Sequence, residues 1–165
     1  MAERNDVSAK QAERTVVITR IFDAPRAVVF KAWTDPVHVA QWWGPKGFTN
    51  PVCEMDVRPG GALRIVMRAP DGAEYPMTGI FREIVPSERL VFTNLAIDQQ
   101  GKVLLEGLTT VTFADHAGRK TKLTVESRAV ARVDYATRML EGMEEGWTQS
   151  IDRLGEHVMR MRAAG

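Results

Sequence analysis

The sequence is poor in cysteine, in net charge and in long hydrophobic runs, and each shortage argues against a class of protein. Cys53 is the only cysteine among 165 residues, so no internal disulfide forms and nothing indicates an oxidising compartment. The formal net charge of +1 argues against broad electrostatic binding to nucleic acid or to an anionic membrane. No run reaches the ~18 apolar residues of a membrane span. The start, MAERNDVSAK, lacks the apolar core of a signal peptide, so we expect a cytoplasmic protein.

Motifs for metal, nucleotide or nucleophile chemistry are also missing. His38, His116 and His157 are scattered, and none stands beside a cysteine or a carboxylate at ligand spacing. No nucleophile-elbow, Walker or Rossmann glycine pattern occurs. We therefore expect no metal site and no cofactor. The composition, 44% hydrophobic and 26% charged, is that of an ordinary soluble domain.

Residues 1–14 are polar and predict a flexible N-terminal tail, while residues 15–162 predict a single domain. The β-branched run TVVITRIF predicts a first strand over residues 15–22. Turn signals such as Pro59-Gly60-Gly61 and Asp71-Gly72 divide the middle of the chain. The segments between them predict six further strands, at about 49–56, 62–69, 75–84, 89–96, 103–114 and 120–128.

Two short helices are predicted between the first and second strands. Pro25 suits a first helical position after Asp23 or Ala24, and Asp35 suits the cap of the second helix. Gly44-Pro45 ends that helix.

One long helix is predicted at the end of the chain, from about Val133 to Met161, with Asp134 as a candidate cap. Its apolar stripe is Met139, Met143, Trp147, Ile151, Leu154 and Val158. Gly142 and Gly146 interrupt the helix, and we interpret them as sites of close packing or of a slight kink, with close approach of a ligand as the alternative.

This order of elements is an α+β pattern. A twisted antiparallel sheet of seven strands curls, and the stripe of the last helix must pack on its concave face. A curved sheet and a straight helix seldom fill the space between them. The sequence therefore predicts a mostly apolar pocket under the last helix.

Three segments carry a resemblance to a known family: FDAPRAVVFKAWTDPVHVAQWWGP, FREIVPSERLVFTN and GMEEGWTQSIDRLGEHV. They resemble the homologues of the C-terminal domain of the heat-shock-protein ATPase activator, in the START-like or SRPBCC superfamily of helix-grip folds. The resemblance covers about residues 15–160. It implies a deep hydrophobic cavity between the sheet and the last helix, and neither a common ligand nor a common catalytic residue.

The candidate site residues are large apolar side chains of the inner sheet face and the last helix. We expect the cavity to be lined by Trp43, Met67, Met77, Phe81, Phe92, Met139, Met143 and Trp147. Ordinary core packing is the alternative for each of them. No catalytic residue is assigned. Cys53 is interpreted as a small buried residue, and Glu106 as solvent-facing unless it points into the cavity, where it would be a polar anchor or general base.

Three functions remain open at this point. The first is binding of a lipid-like or aromatic small molecule. The second is an enzyme, such as a cyclase or hydrolase, acting on such a molecule in the cavity. A chaperone-accessory role with a protein partner ranks lowest. We expect no nucleic-acid partner and no membrane span, and the sequence leaves the oligomeric state open, a homodimer included.

Overall fold

The computed structural model describes residues 12–164 and has the predicted order of elements. Strand β1 (Glu13–Phe22) is followed by helices α1 (Arg26–Thr34) and α2 (Pro36–Trp42). Six strands come next: β2 (Thr49–Met55), β3 (Ala62–Arg68), β4 (Glu74–Val85), β5 (Arg89–Ile97), β6 (Val103–His116) and β7 (Lys120–Ala131). A 3-10 turn (Asp134–Ala136) leads to α3 (Thr137–Glu141) and α4 (Met143–Ala164).

The seven strands form one curved antiparallel sheet in the order β1-β7-β6-β5-β4-β3-β2. Strands β2 to β6 each pair with the next strand along the chain, and β1 pairs with β7. Short turns make this meander possible, as at Gly72, whose φ of +91° favours glycine. Register shifts in the β2–β3, β4–β5 and β5–β6 pairs bend the sheet further. The helix-grip fold class is confirmed.

The first strand begins two residues before the predicted domain boundary. Glu13 pairs with Val130, so Glu13 and Arg14 belong to the sheet and not to a tail. Residues 1–11, the rest of the predicted tail, lie outside the described residues. Within residues 12–164, no helix has the length and apolar character needed to cross a membrane.

The short helices form where their capping residues predict them. Asp35 Oδ1 accepts a hydrogen bond of 2.9 Å from the Val37 amide, with Pro36 at the first helical position. Pro25 differs by one residue from its predicted place, since its extended backbone makes it the N-cap of α1. Gly44 follows α2 with a φ of +96°, which turns the chain away from the helix.

The predicted single C-terminal helix is wrong in its first part. Gly142 has φ −88° and ψ 1°, outside helical geometry, so the helix is divided there into α3 and α4. Asp134 is not a cap either, because it lies inside the 3-10 turn and makes no side-chain capping bond. Glycine adopts non-helical backbone conformations at little cost, and the chain changes direction at Gly142.

Buried side chains form two clusters. The larger joins the sheet to α1, α2 and α4, and Ile151, Leu154 and Val158 of α4 are completely buried in it. The smaller lies near the end of β7, where Ala129 and Ala131 pack with Ala136 and Leu140, the last of which belongs to α3. Helix α4 is therefore anchored by its middle part, from Ser150 to Val158, while its start faces the space between the clusters.

Candidate ligand-binding cavity

A cavity of about 450 Å³ lies between the sheet and the C-terminal helices. Its wall takes residues from both buried clusters, such as Met77 from the larger and Ala129 from the smaller. Tyr75 and Met139 on the wall are 45% and 36% exposed, so the cavity reaches the surface beside them. The space under α3 and the start of α4 is open, as the shape of the sheet predicts.

Six of the eight predicted residues lie on this wall: Trp43, Met67, Met77, Met139, Met143 and Trp147. Phe81 and Phe92 do not. They are 2% and 3% exposed and pack edge to face in the larger cluster, with ring centroids 6.2 Å apart. Both point to the predicted side of the sheet, but further along their strands, where side chains fill the space.

Trp43 is held at the cavity by Arg153 of α4. One guanidinium nitrogen of Arg153 donates to the carbonyl oxygens of Trp43, Gly44 and Pro45, at 3.1, 2.9 and 2.9 Å. The other reaches the Gln41 carbonyl at 3.2 Å. A guanidinium with several donors suits this cluster of carbonyls after the end of a helix. The contact joins the loop after α2 to α4 and sets the position of the Trp43 ring.

Aromatic rings continue from Trp43 into the core. The Trp43 and Trp147 rings meet edge to face with centroids 5.7 Å apart, and Trp147 stacks on Trp33 at 6.4 Å. Trp42 is completely buried and donates its indole N–H to the Ala32 carbonyl at 2.9 Å. The two adjacent tryptophans therefore differ in role, because Trp42 is core and Trp43 is cavity wall.

Gly142 and Gly146 also lie on the wall. A Cβ at Gly146 would have no heavy atom within 4 Å, and one at Gly142 would meet only the Arg138 carbonyl at 4.0 Å. Close packing is therefore the wrong explanation for these glycines. Their missing side chains leave room at the cavity, and at Gly142 the backbone bends.

Polar side chains on the wall were missed from the sequence. Asn94 of β5, Ser127 of β7 and Ser150 of α4 lie among the apolar residues. Ser127 follows Leu123 and Val125 in strict alternation, so its inward direction could have been read from the strand period. Asn94 lies on the same face of β5 as Phe92, which is buried. A polar residue on a core-facing strand face is the sequence signal that could have predicted a polar group in the cavity.

The other candidate groups lie outside the wall. Glu106 is exposed and forms an ion pair with Arg132 at 2.6 Å, so it faces solvent. Burial, together with the charges of Asp35 and Glu54, raises the pKa of Cys53 to about 11, which keeps the thiol protonated and a poor nucleophile. Among residues 12–164, no group of three or more histidine, cysteine or acidic side chains could hold a metal ion.

A model of the activator of Hsp90 ATPase homolog 1-like protein family matches residues 23–159. The chain belongs to this family. The sequence resemblance is thereby confirmed, and the helix-grip architecture is the START-like type of the family. Members of the family commonly bind hydrophobic ligands. Among curated proteins, no significant match is found.

Solved structures from several bacteria share the fold of this family member. A protein from Chromobacterium violaceum is 29% identical with a TM-score of 0.73, and the match covers 87% of this chain and 96% of that chain. A protein from Rhizobium leguminosarum is 27% identical with a TM-score of 0.71, covering 92% and 97%. The AHSA1 protein from Silicibacter pomeroyi, at 23% identity and a TM-score of 0.74 over 90% and 99%, shows the fold alone.

Proposed function

We propose that this protein binds an apolar small molecule in the cavity between its sheet and its C-terminal helices. The observation that carries the proposal is the cavity itself, about 450 Å³ in volume and lined mostly by methionine, tryptophan and other apolar side chains. Ligand sites of small molecules have volumes of roughly 300–1,000 Å³ and similar linings. The opening beside Tyr75 and Met139 gives a ligand a way in.

Physical chemistry favours an occupant for such a space. Side chains around a void lack contacts on one side, and an apolar ligand supplies them while it leaves water. The four methionines of the wall can adapt to ligands of different shape because their unbranched side chains change rotamer readily. These features support a site for lipid-like or aromatic molecules.

The alternative of an enzyme has less support. Among the described residues on the wall there is no histidine, carboxylate, lysine or cysteine. General acid–base catalysis needs such a group, or a tyrosine, within hydrogen-bond reach of the reacting atoms. The tyrosine of the described wall, Tyr75, is exposed at the rim of the cavity. The wall offers groups that bind and orient, so we favour binding over catalysis. Val17 and Val37, two of the most exposed apolar side chains, lie on different elements and give no specific support to a protein partner.

Filling the cavity tests the proposal. Gly146→Leu extends a side chain from the wall where a Cβ has no neighbour within 4 Å, and Gly146→Ala adds only a methyl group at the same place. We expect N-phenylnaphthylamine, an uncharged fluorescent probe, to bind wild type and Gly146→Ala alike. Its affinity for Gly146→Leu should fall by about ten-fold or more, because the leucine occupies part of its space.

Two results would contradict the proposal. One is the absence of probe binding to the wild type, measured by probe and tryptophan fluorescence. The other is equal affinity in all three proteins, which would place the probe outside the cavity. Solvent extraction of the purified protein followed by mass spectrometry shows in addition whether an apolar molecule is carried from the cell.

A further inference from the structure

Polar side chains interrupt the apolar wall of the cavity on three adjacent strands. Asn94 on β5 and Ser127 on β7 lie on the wall, and Thr109 on β6 lies between them. Thr109 and Ser127 are completely buried. The Thr109 hydroxyl oxygen lies 2.9 Å from Asn94 Oδ1 and 2.8 Å from Ser127 Oγ. The three side chains form one hydrogen-bonded row at the cavity.

The direction of the hydrogen bonds leaves a donor unused. The Thr109 hydroxyl carries a single hydrogen, which it donates to Asn94 Oδ1. The hydrogen between Ser127 and Thr109 therefore comes from Ser127. Asn94 Nδ2 keeps both of its N–H donors, and no described residue accepts a hydrogen bond from it.

Gly107 leaves the space that the Asn94 side-chain amide occupies. The two residues pair across β5 and β6, and a Cβ on Gly107 would come within 2.7 Å of Asn94 Nδ2. Any other residue at position 107 would push the amide away from β6. With Oδ1 held by Thr109 and the amide lying against Gly107, the Nδ2 group is fixed before a ligand arrives, which lowers the ordering cost of binding.

The charge of the wall restricts what this donor can bind. No lysine, arginine or histidine lies among the described residues of the wall, so a carboxylate ligand would be buried without a counter-ion. A neutral carbonyl or ether oxygen is satisfied by a single N–H donor. Ser150, buried on α4, adds one further neutral polar group from the helix side.

We propose that the cavity selects uncharged apolar molecules that carry a hydrogen-bond acceptor, and that Asn94 Nδ2 donates to this acceptor. The inference rests on the proposed function, since it names the class of ligand for the same cavity. Thr109 is a positioning residue, because it holds the Asn94 amide in one orientation, and Ser127 supports it by donating to the Thr109 hydroxyl oxygen.

Three naphthalene probes of equal heavy-atom number test the inference: methyl naphthyl ketone, isopropylnaphthalene and naphthoate. Calorimetric or tryptophan-fluorescence titration of the full chain gives the affinity for each. Because the hydrocarbon gains more than the ketone from leaving water, the informative quantity is the ratio of ketone to hydrocarbon affinity. We expect this ratio to be about three- to ten-fold higher in wild type than in a variant without the Asn94 donor, as one net hydrogen bond allows. Naphthoate should bind most weakly of the three.

Variants assign the preference to the polar row. Asn94→Leu, which has the same number of side-chain heavy atoms, should lower the ratio of ketone to hydrocarbon affinity while the affinity for isopropylnaphthalene is kept. Asn94→Asp, which replaces the free donor by a carboxylate acceptor, gives a second variant and should lower this ratio as well. Ser127→Ala should reduce the preference without changing hydrocarbon affinity, which distinguishes positioning from structural support. Thr110→Val, on the opposite face of β6 from Thr109, is the matched control and should behave as wild type.

The outcomes separate this inference from the proposed function. If no probe binds wild type, both are contradicted. If naphthoate binds best, the cavity binds ligands and the inference is overturned. A ratio of ketone to hydrocarbon affinity that keeps its wild-type value in Asn94→Leu and Asn94→Asp overturns it as well, because the donor must then lie elsewhere.

Discussion

Among single residues, His157 on α4 is one whose protonation the fold opposes. It is buried, its Nε2 lies 2.9 Å from His38 Nδ1, and its own Nδ1 has no hydrogen-bond partner among the described residues. Burial lowers the pKa of His157 below its ordinary value of 6.5, and the charges of His38 and Arg160 lower it further. The pair is a structural contact between α2 and α4, and the folded chain resists protonation of His157.

This gives a prediction for stability against pH. Above pH 6.5 both folded and unfolded chains hold His157 neutral, so its contribution to stability is fully present. As the pH falls below that value, the unfolded chain takes up a proton that the folded chain resists, and the free energy of unfolding decreases. We expect the Tm of His157→Gln to fall less between pH 7 and pH 5 than that of the wild type, in scanning calorimetry.

The exposed His116 of the β6–β7 hairpin provides the control. His116→Gln should keep the wild-type change of Tm with pH. An equal change in wild type and His157→Gln would show that other groups carry the acid sensitivity.

Single residues also show how far the sequence can predict the site. Alternation along β4 places Met77, Gly79 and Phe81 on one face, and all three are buried. Alternation does not tell at which point along a strand the packed core ends and the cavity begins. Met77 lies at the cavity and Phe81 in the core because the completely buried residues of α4, which fill the larger cluster, begin only at Ile151.

At the scale of elements, the bounds of the strands could be predicted within about three residues, because turn residues and β-branched runs are local signals. The division of the last helix at Gly142 could not. The period of the apolar residues continues through the glycine, and the bend depends on how α3 packs against β7 in the smaller cluster. Tertiary packing determines where the helix bends, and the period of the apolar residues does not indicate this position.

The contact between α4 and the loop after α2 yields a prediction at this scale. Arg153 donates to four carbonyl oxygens from its two terminal nitrogens, which the single ammonium of a lysine cannot reproduce. We expect Arg153→Lys to lower the free energy of unfolding by about 1–3 kcal/mol in urea titrations, since half-buried carbonyls lose their donors. Probe affinity should fall as well, because Trp43 is no longer held at the cavity.

Arg160 is an arginine of the same helix with an exposed side chain, so Arg160→Lys is the matched control. It should change stability by less than about 0.5 kcal/mol. If Arg153→Lys behaves in the same way, the four contacts do not fix the loop.

For the whole molecule, the essential feature is that one curved sheet carries both a packed core and an open cavity. The sequence predicts the curved sheet, the covering helix and the apolar interior, because these follow from the order and the polarity of the elements. It does not predict how the interior is divided. That depends on the distance between α4 and the sheet, which a few completely buried residues of α4, such as Ile151 and Leu154, determine together with their partners on the strands.

This division predicts losses of stability of very different size for two of the residues first assigned to the cavity. Phe81 is 2% exposed inside the larger cluster, so Phe81→Ala should lower the free energy of unfolding by about 3–5 kcal/mol. Met139 lies at the open rim, 36% exposed, and Met139→Ala should cost less than about 1 kcal/mol because little packing is lost. Urea denaturation followed by far-UV circular dichroism measures both. Similar losses in the two variants would mean that α3 closes on the sheet in solution, and that the cavity rim is part of the core.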